Sequence, residues 1–104
     1  MNKIIRDGRV AVLVSRGYGA GWYTWARSAD AEAMVFCPRL VLAILKESEE
    51  DPMVVAKEEF PDEYYGGVED LQVQWITQGQ RFEIREYDGN ESLHLFEPDD
   101  GIVA

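Results

Sequence analysis

The sequence predicts an α+β fold in which an N-terminal β-hairpin, two or three short helices and a C-terminal three-stranded antiparallel meander share one mixed sheet. Three observations predict it. An all-apolar run follows a turn dipeptide near the N-terminus, prolines precede two apolar segments in the middle, and the apolar period changes to two near the end. The 104 residues show no linker and no internal repeat. We therefore expect a single domain over residues 1–104.

The N-terminal hairpin is predicted from the dipeptide Asp7-Gly8, which lies between the apolar residues 4–5 and 10–14. Both residue types tolerate the positive φ angles that a two-residue hairpin turn requires. The run over residues 10–14 is apolar at every position, which is typical of a strand covered on both faces. We expect this second strand to lie at the centre of the sheet.

Prolines mark the start of the two main predicted helices. Pro38 suits a first helical turn, where its missing N–H is not needed, and the apolar pattern predicts a helix over residues 38–47. Asp51 stands before a second proline and predicts an N-cap for a helix over residues 52–60. Residues 28–36 are predicted as a third, short helix.

In the last third of the chain, apolar and polar side chains alternate as they do on half-buried strands. The alternation predicts strands over residues 71–76, 81–87 and 93–96, joined by short turn-like segments at residues 77–80 and 88–91. Short joins favour antiparallel neighbours, so these strands are predicted to form the meander.

The composition restricts the class of function. Twenty acidic against ten basic side chains give a formal charge of −10, which disfavours general DNA or RNA binding because phosphate contacts need cations. The one cysteine excludes an intramolecular disulfide and a cysteine-based zinc site. The longest apolar run falls far short of the ~20 residues of a membrane span, and no signal-peptide pattern opens the chain. We expect a soluble cytoplasmic protein without membrane contact.

The charge is divided between two parts of the chain. Residues 1–46 carry seven basic and three acidic side chains, whereas residues 47–70 carry ten acidic side chains and one lysine. The acidic stretch is typical of the solvated faces of surface helices, and it also suits a docking surface for a cationic partner. Contact between the unlike parts of two copies would give a homo-oligomer.

The sequence shows no signature of catalysis, cofactor binding or metal binding. The glycines of residues 17–21 lack the spacing of a dinucleotide-binding loop, and no phosphate-loop Lys-Ser/Thr pair follows them. His94 is the only imidazole and Cys37 stands between a phenylalanine and a proline, so we interpret both as structural residues. We expect no catalytic residue, no metal and no cofactor, and we interpret the protein as non-enzymatic. A small enzyme is the third alternative.

The loop over residues 16–27 combines glycines, aromatic rings and arginines. Glycines let backbone N–H groups approach a ligand, rings stack on bases, and guanidinium groups match phosphate or carboxylate. The combination suits a nucleotide-like small molecule, and the predicted ligand-binding residues are Arg16, Tyr18, Gly19, Trp22, Trp25 and Arg27. The alternative is that the aromatic residues fill the core or an oligomer interface while the glycines permit the bend.

Two parts of the sequence resemble a known family. Residues 17–25 read GYGAGWYTW, whereas residues 71–75 and 81–92 read LQVQW and RFEIREYDGNES. Together they resemble a family of small uncharacterised proteins encoded by bacteriophages and prophages, and the likeness spans most of the chain. The resemblance implies a phage origin and a site of action in the cytoplasm of a bacterial host cell. It brings no assigned activity, catalytic residue or cofactor.

The residues and the resemblance together predict a phage accessory protein that acts by binding, countering a host defence or redirecting a host process. In the first hypothesis, the loop over residues 16–27 sequesters a nucleotide-like small molecule. In the second, the acidic stretch over residues 47–70 docks onto a basic host protein as a mimic of nucleic acid and inhibits it.

Overall fold

The computed structural model describes residues 2–29, 31–95 and 101–104. Over these residues the chain forms two three-stranded antiparallel sheets, ordered β1-β2-β3 and β5-β4-β6, together with three α-helices. The predicted α+β class, with its N-terminal hairpin and short helices, is confirmed. The strands are β1 (Ile5–Arg6), β2 (Arg9–Ser15), β3 (Leu71–Thr77), β4 (Arg81–Tyr87), β5 (Asn90–Leu95) and β6 (Ile102–Val103), and the helices are α1 (Ala31–Phe36), α2 (Pro38–Ile44) and α3 (Pro52–Glu59).

Strand β2 lies at the centre of the molecule because it is apolar on both faces. Every residue of β2 after Arg9 is buried. Ala11 and Leu13 belong to the core formed with α2 and α3, whereas Val12 belongs to the core that contains Phe82 of the second sheet. The prediction of a central strand covered on both faces is therefore confirmed, and β2 separates two layers of core.

The turn between β1 and β2 is made by Asp7 and Gly8, whose φ angles are 52° and 74°. A two-residue type I′ turn needs positive φ at both central positions, and aspartate and glycine accept this conformation at little cost. The turn sets Arg6 opposite Arg9 in the antiparallel pair. The predicted hairpin is confirmed.

Helices α2 and α3 begin where the prolines and the cap predict, whereas the helix predicted over residues 28–36 is α1 and begins at Ala31. Helix α2 begins at Pro38 but ends at Ile44, before the predicted residue 47, and Lys46 just beyond it has a left-handed φ of 59°. Helix α3 follows Asp51, whose carboxylate accepts a hydrogen bond from the N–H of Val54 at 3.3 Å. Within the described residues, no helix has the length and apolar character that crossing a membrane would require.

The C-terminal strands are arranged differently from the predicted meander in a single mixed sheet. Strand β3 pairs with β2, with Leu71 opposite Ser15, and does not join the sheet of β4. The β4 edge opposite β5 is taken by β6, where Ile102 lies opposite Phe82. A period of two predicts which face of a strand is buried but not which strand lies beside it, so the alternation does not predict the division into two sheets. Residue 96, the predicted end of the last strand, lies outside the described residues.

Candidate functional site

A buried carboxylate organises the glycine- and aromatic-rich loop over residues 16–27. Glu91, near the start of β5, is fully buried. Its Oε1 accepts a hydrogen bond from the N–H of Ser15 at 2.9 Å, and its Oε2 accepts one from the N–H of Trp22 at 2.9 Å. Oε2 also accepts from the N–H and the hydroxyl of Thr24, at 2.8 and 2.7 Å. The loop is wrapped around one side chain, which supplies acceptors to groups that would otherwise be buried without partners.

The same loop packs against the turn before β5, so two of the sequence motifs form one structural unit. The N–H of Gly19 donates to the carbonyl of Asp88 at 2.5 Å. At Gly89, where φ is 85°, an added Cβ atom would lie 2.3 Å from the backbone nitrogen of Ala20. This turn needs glycine both for its left-handed φ and for the close approach of the two backbones.

A second buried carboxylate holds the end of the loop. Glu63 is only 6% exposed and accepts hydrogen bonds from the N–H groups of Arg27 and Ser28, at 2.7 and 3.0 Å. Burial acts to raise the pKa of Glu63, but the hydrogen bonds from Arg27 and Ser28 outweigh it and hold this pKa below its ordinary value. The folded loop therefore favours the charged form of Glu63.

The hydrogen bonds to Glu63 make part of the stability depend on pH. Because the pKa of Glu63 is lower in the folded than in the unfolded state, this contribution is fully present above the ordinary glutamate pKa of ~4.3 and is lost as the pH falls through the folded-state value. We expect Glu63→Gln to be less stable than the wild type near neutral pH, with a difference that shrinks below about pH 4. Urea unfolding of both proteins across this range measures the difference. A gap of constant size would contradict the role given to Glu63.

The residues predicted to bind a ligand lie in different environments. Arg16, Tyr18, Gly19 and Arg27 are exposed. The guanidinium group of Arg16 donates a hydrogen bond to the backbone carbonyl of Glu91. This arginine is thus part of the contact between the loop and β5, while its exposed surface remains accessible to solvent.

The two predicted tryptophans pack against other residues of the protein. Trp22 is fully buried, its indole N–H donates to the carbonyl of Met34 at 2.8 Å, and its ring meets Phe60 edge-on with centroids 5.8 Å apart. Trp25 is half-buried and stacks on Tyr64, with centroids 5.5 Å apart. Trp22 is therefore a core residue without a face for a ligand, as the packing alternative predicted, and one face of Trp25 is covered.

An open cleft of about 610 Å³ lies beside α2, α3 and the start of β3, and none of the six predicted loop residues lines it. Its floor is apolar and is formed by Ala43, Ile44, Met53, Val68 and Leu71. Its rim is polar and carries Lys46, Ser48, Glu49, Glu50, Asp51 and Glu69. The sequence indicated an acidic surface here, but the cleft depends on how two helices pack against a strand, which a linear pattern does not show.

Arginines of the basic part of the chain pair with the acidic stretch of the same molecule. Arg39 contacts Glu50 through Nη2 at 2.6 Å and also reaches two glutamates at the end of α3. Arg6 holds Glu47 through two hydrogen bonds of 2.6 and 2.7 Å. The hydrogen bonds from these arginines lower the pKa values of Glu50 and Glu47. The attraction between the basic residues 1–46 and the acidic residues 47–70 predicted association between copies. Some of these charges instead pair within one molecule.

The remaining chemistry-bearing side chains are dispersed. In the part of the chain that the structure describes, no group of three His, Cys, Asp or Glu side chains is placed to hold a metal ion. His94 lies with its Nε2 3.0 Å from the hydroxyl of Ser92 on the same strand. Burial raises the pKa of the Cys37 thiol, which disfavours the reactive thiolate.

Comparison of the chain with protein-family models, with curated proteins and with solved structures finds no match. The resemblance to phage-encoded proteins therefore stays a prediction from the sequence.

Proposed function

We propose that the protein is a non-enzymatic binding protein whose α2–α3 cleft receives a basic segment of another protein. The observation that carries this proposal is the combination of an apolar floor with an acidic rim around one open cleft of about 610 Å³. A volume of this size falls within the range of about 300–1,000 Å³ typical of binding pockets. Docking of a cationic segment is the function that this geometry supports best.

The chemistry of the cleft matches the two ends of a basic side chain. Lysine and arginine bury an apolar stem while keeping a charged head near water, so they suit an apolar floor beneath exposed carboxylates. Glu49 and Glu69 are exposed on the rim, and neither has an ion pair with any described residue. Their charges are available to a partner, and the net charge of −10 would steer a cationic partner toward the protein.

The phage origin implied by the sequence resemblance suggests what the partner is. A basic segment exposed on a host protein is often a site for nucleic acid, because phosphate contacts need lysine and arginine. Occupying such a segment would inhibit the host protein. This is the mode of action that we propose, as a counter-defence or host-redirecting activity in the bacterial cytoplasm.

Binding of a nucleotide-like molecule by the loop over residues 16–27 is the competing hypothesis. The exposed side chains of Arg16 and Tyr18 are compatible with it. It is weakened by the burial of Trp22 and by the stacking of Trp25 on Tyr64, which leave fewer free rings than the hypothesis requires. Nucleotides are therefore included in the test below.

The proposal is tested by titrating the protein with a short peptide of alternating lysine and leucine and with its glutamate–leucine counterpart. We expect the cationic peptide alone to bind, more weakly as salt screens the carboxylates. The variant Glu49→Gln/Glu69→Gln should bind it roughly 3- to 10-fold more weakly, given about 0.3–0.7 kcal/mol for each exposed charge pair. The control Glu32→Gln/Asp62→Asn removes two exposed charges outside the cleft lining and should lose less affinity.

Two results would contradict the proposal. In one, neither peptide binds at low salt. In the other, the rim variant binds the cationic peptide as tightly as the control variant does. A rise in melting temperature with mono-, di- or cyclic nucleotides that is lost in Arg16→Ala would instead favour the loop hypothesis.

A further inference from the structure

Two exposed tyrosines lie on segments that a backbone hydrogen bond joins. Tyr18 is 68% exposed and Tyr87 is 79% exposed. Each is the chain neighbour of one partner in the hydrogen bond from Gly19 to Asp88, which joins the two backbones at 2.5 Å. The two tyrosines are far apart in sequence, but the segments that carry them meet at this hydrogen bond. A pair of exposed aromatic side chains on adjoining segments is a feature of interaction surfaces.

The segments that carry these tyrosines are held in place by buried contacts. The tyrosine-bearing loop leads from the strand end at Ser15 to Trp22, and Glu91 accepts hydrogen bonds from the N–H groups of both residues. The turn after Tyr87 is locked by the close approach of Gly89 to the loop. Tyrosine has only two side-chain torsions. On a backbone that is already fixed, ordering its ring on binding therefore costs little conformational entropy. The backbone around both tyrosines is thus fixed by the fold.

The loop that carries Tyr18 adjoins the end of the acidic cleft. Glu69 lines the cleft and precedes Asp70, whose carbonyl accepts a hydrogen bond from the N–H of Arg16 at 3.0 Å. The side chain of Asp70 lies so close to Gly17 that a Cβ atom there would meet it at 2.0 Å. Tyr18 follows directly. A segment that leaves the cleft past Glu69 would therefore come next to the loop that carries Tyr18.

The charges around the rings favour a cation. Glu86 and Asp88, the chain neighbours of Tyr87, are exposed, as is Asp70, whose side chain lies against Gly17. Glu86 also accepts a hydrogen bond from the N–H of Gly89 at 2.8 Å. The neighbouring cations are engaged within the chain, Arg16 with the carbonyl of Glu91 and Arg85 with the carboxylate of Glu83. An aromatic face next to exposed carboxylates attracts a guanidinium group through both the ring quadrupole and the charge.

We propose that Tyr18 and Tyr87 form an arginine-recognition surface that extends the α2–α3 cleft, so that the bound segment is rich in arginine rather than in lysine. The inference rests on the proposed function and deepens it by naming the side chain that the partner supplies. Guanidinium groups stack flat on tyrosine rings, whereas ammonium groups are compact and strongly hydrated. The cleft by itself would accept either cation.

The test compares an arginine–leucine peptide with a lysine–leucine peptide of the same length and charge. The wild type should prefer the arginine peptide by up to about 5-fold for each ring engaged, the limit being a whole exposed cation–π contact that the lysine peptide does not make. Tyr18→Leu/Tyr87→Leu keeps apolar side chains without aromatic faces and should bind both peptides equally. Tyr18→Phe/Tyr87→Phe keeps the faces and should retain the preference.

The outcomes separate this inference from the function on which it rests. Equal affinity of the wild type for both peptides, or a preference that survives in the leucine variant, overturns the arginine surface while leaving the acidic cleft in place. Failure of both peptides to bind overturns the two proposals together. Tighter binding of a single-stranded oligonucleotide than of the arginine peptide, abolished in the leucine variant, would show that the rings stack on bases instead.

Discussion

Replacing Glu91 by alanine is expected to destabilise the protein by about 4–6 kcal/mol, the largest effect of any single acidic side chain. The substitution removes the acceptor for the N–H groups of Ser15, Trp22 and Thr24 and for the hydroxyl of Thr24. Each buried donor left without a partner costs about 1–3 kcal/mol. Since the whole domain is stable by only about 5–15 kcal/mol, the loop and its contact with the turn before β5 should be lost at moderate temperature.

Urea unfolding of a matched series measures the role of Glu91. Glu91→Gln keeps the shape and one acceptor oxygen, but its amide group would face donors, so its stability should lie between those of the wild type and Glu91→Ala. Glu49→Ala removes an exposed glutamate and should change stability by no more than about 0.5 kcal/mol. If Glu91→Ala were as stable as Glu49→Ala, the loop would not depend on this carboxylate.

Replacing Trp22 by alanine is expected to cost roughly 3–5 kcal/mol, because a large buried side chain is removed and a cavity remains. The carbonyl of Met34 would also lose its indole donor, and the edge of Phe60 would lose its partner. Trp22→Phe retains much of the ring volume and should be less destabilising. Tyr18→Ala, at an exposed position of the same loop, should change stability by no more than about 0.5 kcal/mol.

Thermal unfolding of these variants distinguishes a core tryptophan from one that serves a ligand. We expect a large fall in melting temperature for Trp22→Ala and almost none for Tyr18→Ala. If Trp22→Ala melted close to the wild type, its ring would be dispensable for folding. The packing interpretation would then be wrong, and the nucleotide hypothesis for the loop would gain support.

The sequence predicted the parts of the fold that depend on residues close together in the chain. Positive φ tolerance at Asp7 and Gly8 predicted the hairpin, a side-chain cap at Asp51 predicted the start of α3, and an unbroken apolar run predicted β2 as the central strand. The partner of β3 could not be predicted in this way because alternation describes faces and not neighbours. Strand β6 has two residues, too few for any periodic pattern.

The candidate site was harder to predict because its contacts are remote in sequence. Glu91 lies next to a turn in an acidic chain, and a glutamate at such a position is ordinarily solvated. The groups that donate hydrogen bonds to Glu91 are 67 to 76 residues away in sequence. The glycines and aromatic residues of residues 16–27 did indicate an unusual loop. They could not show that Trp22 points inward while Tyr18 points to solvent, because both are aromatic residues in a glycine-rich segment.

The acidic cleft follows from packing and not from a motif. Its carboxylates were visible in the sequence as a charged stretch, but its floor combines Ile44 of α2, Met53 of α3 and Leu71 of β3. These residues come together only when α2 packs against the first sheet and α3 packs against α2 and the turn that precedes β3. The same packing brings Arg39 to the glutamates of α3 and leaves Glu49 and Glu69 on the rim without an ion pair among the described residues.

The most direct test of the central proposal is to map the basic peptide on the protein by the amide chemical shifts of the labelled wild type. We expect titration with the arginine–leucine peptide to shift the amides of Ile44, Met53, Glu69 and Leu71 together, saturating at a common affinity, with the shifts continuing to Tyr18. Shifts confined to the exposed faces of β4 and β5, or uniform small changes without saturation, would contradict docking in the α2–α3 cleft.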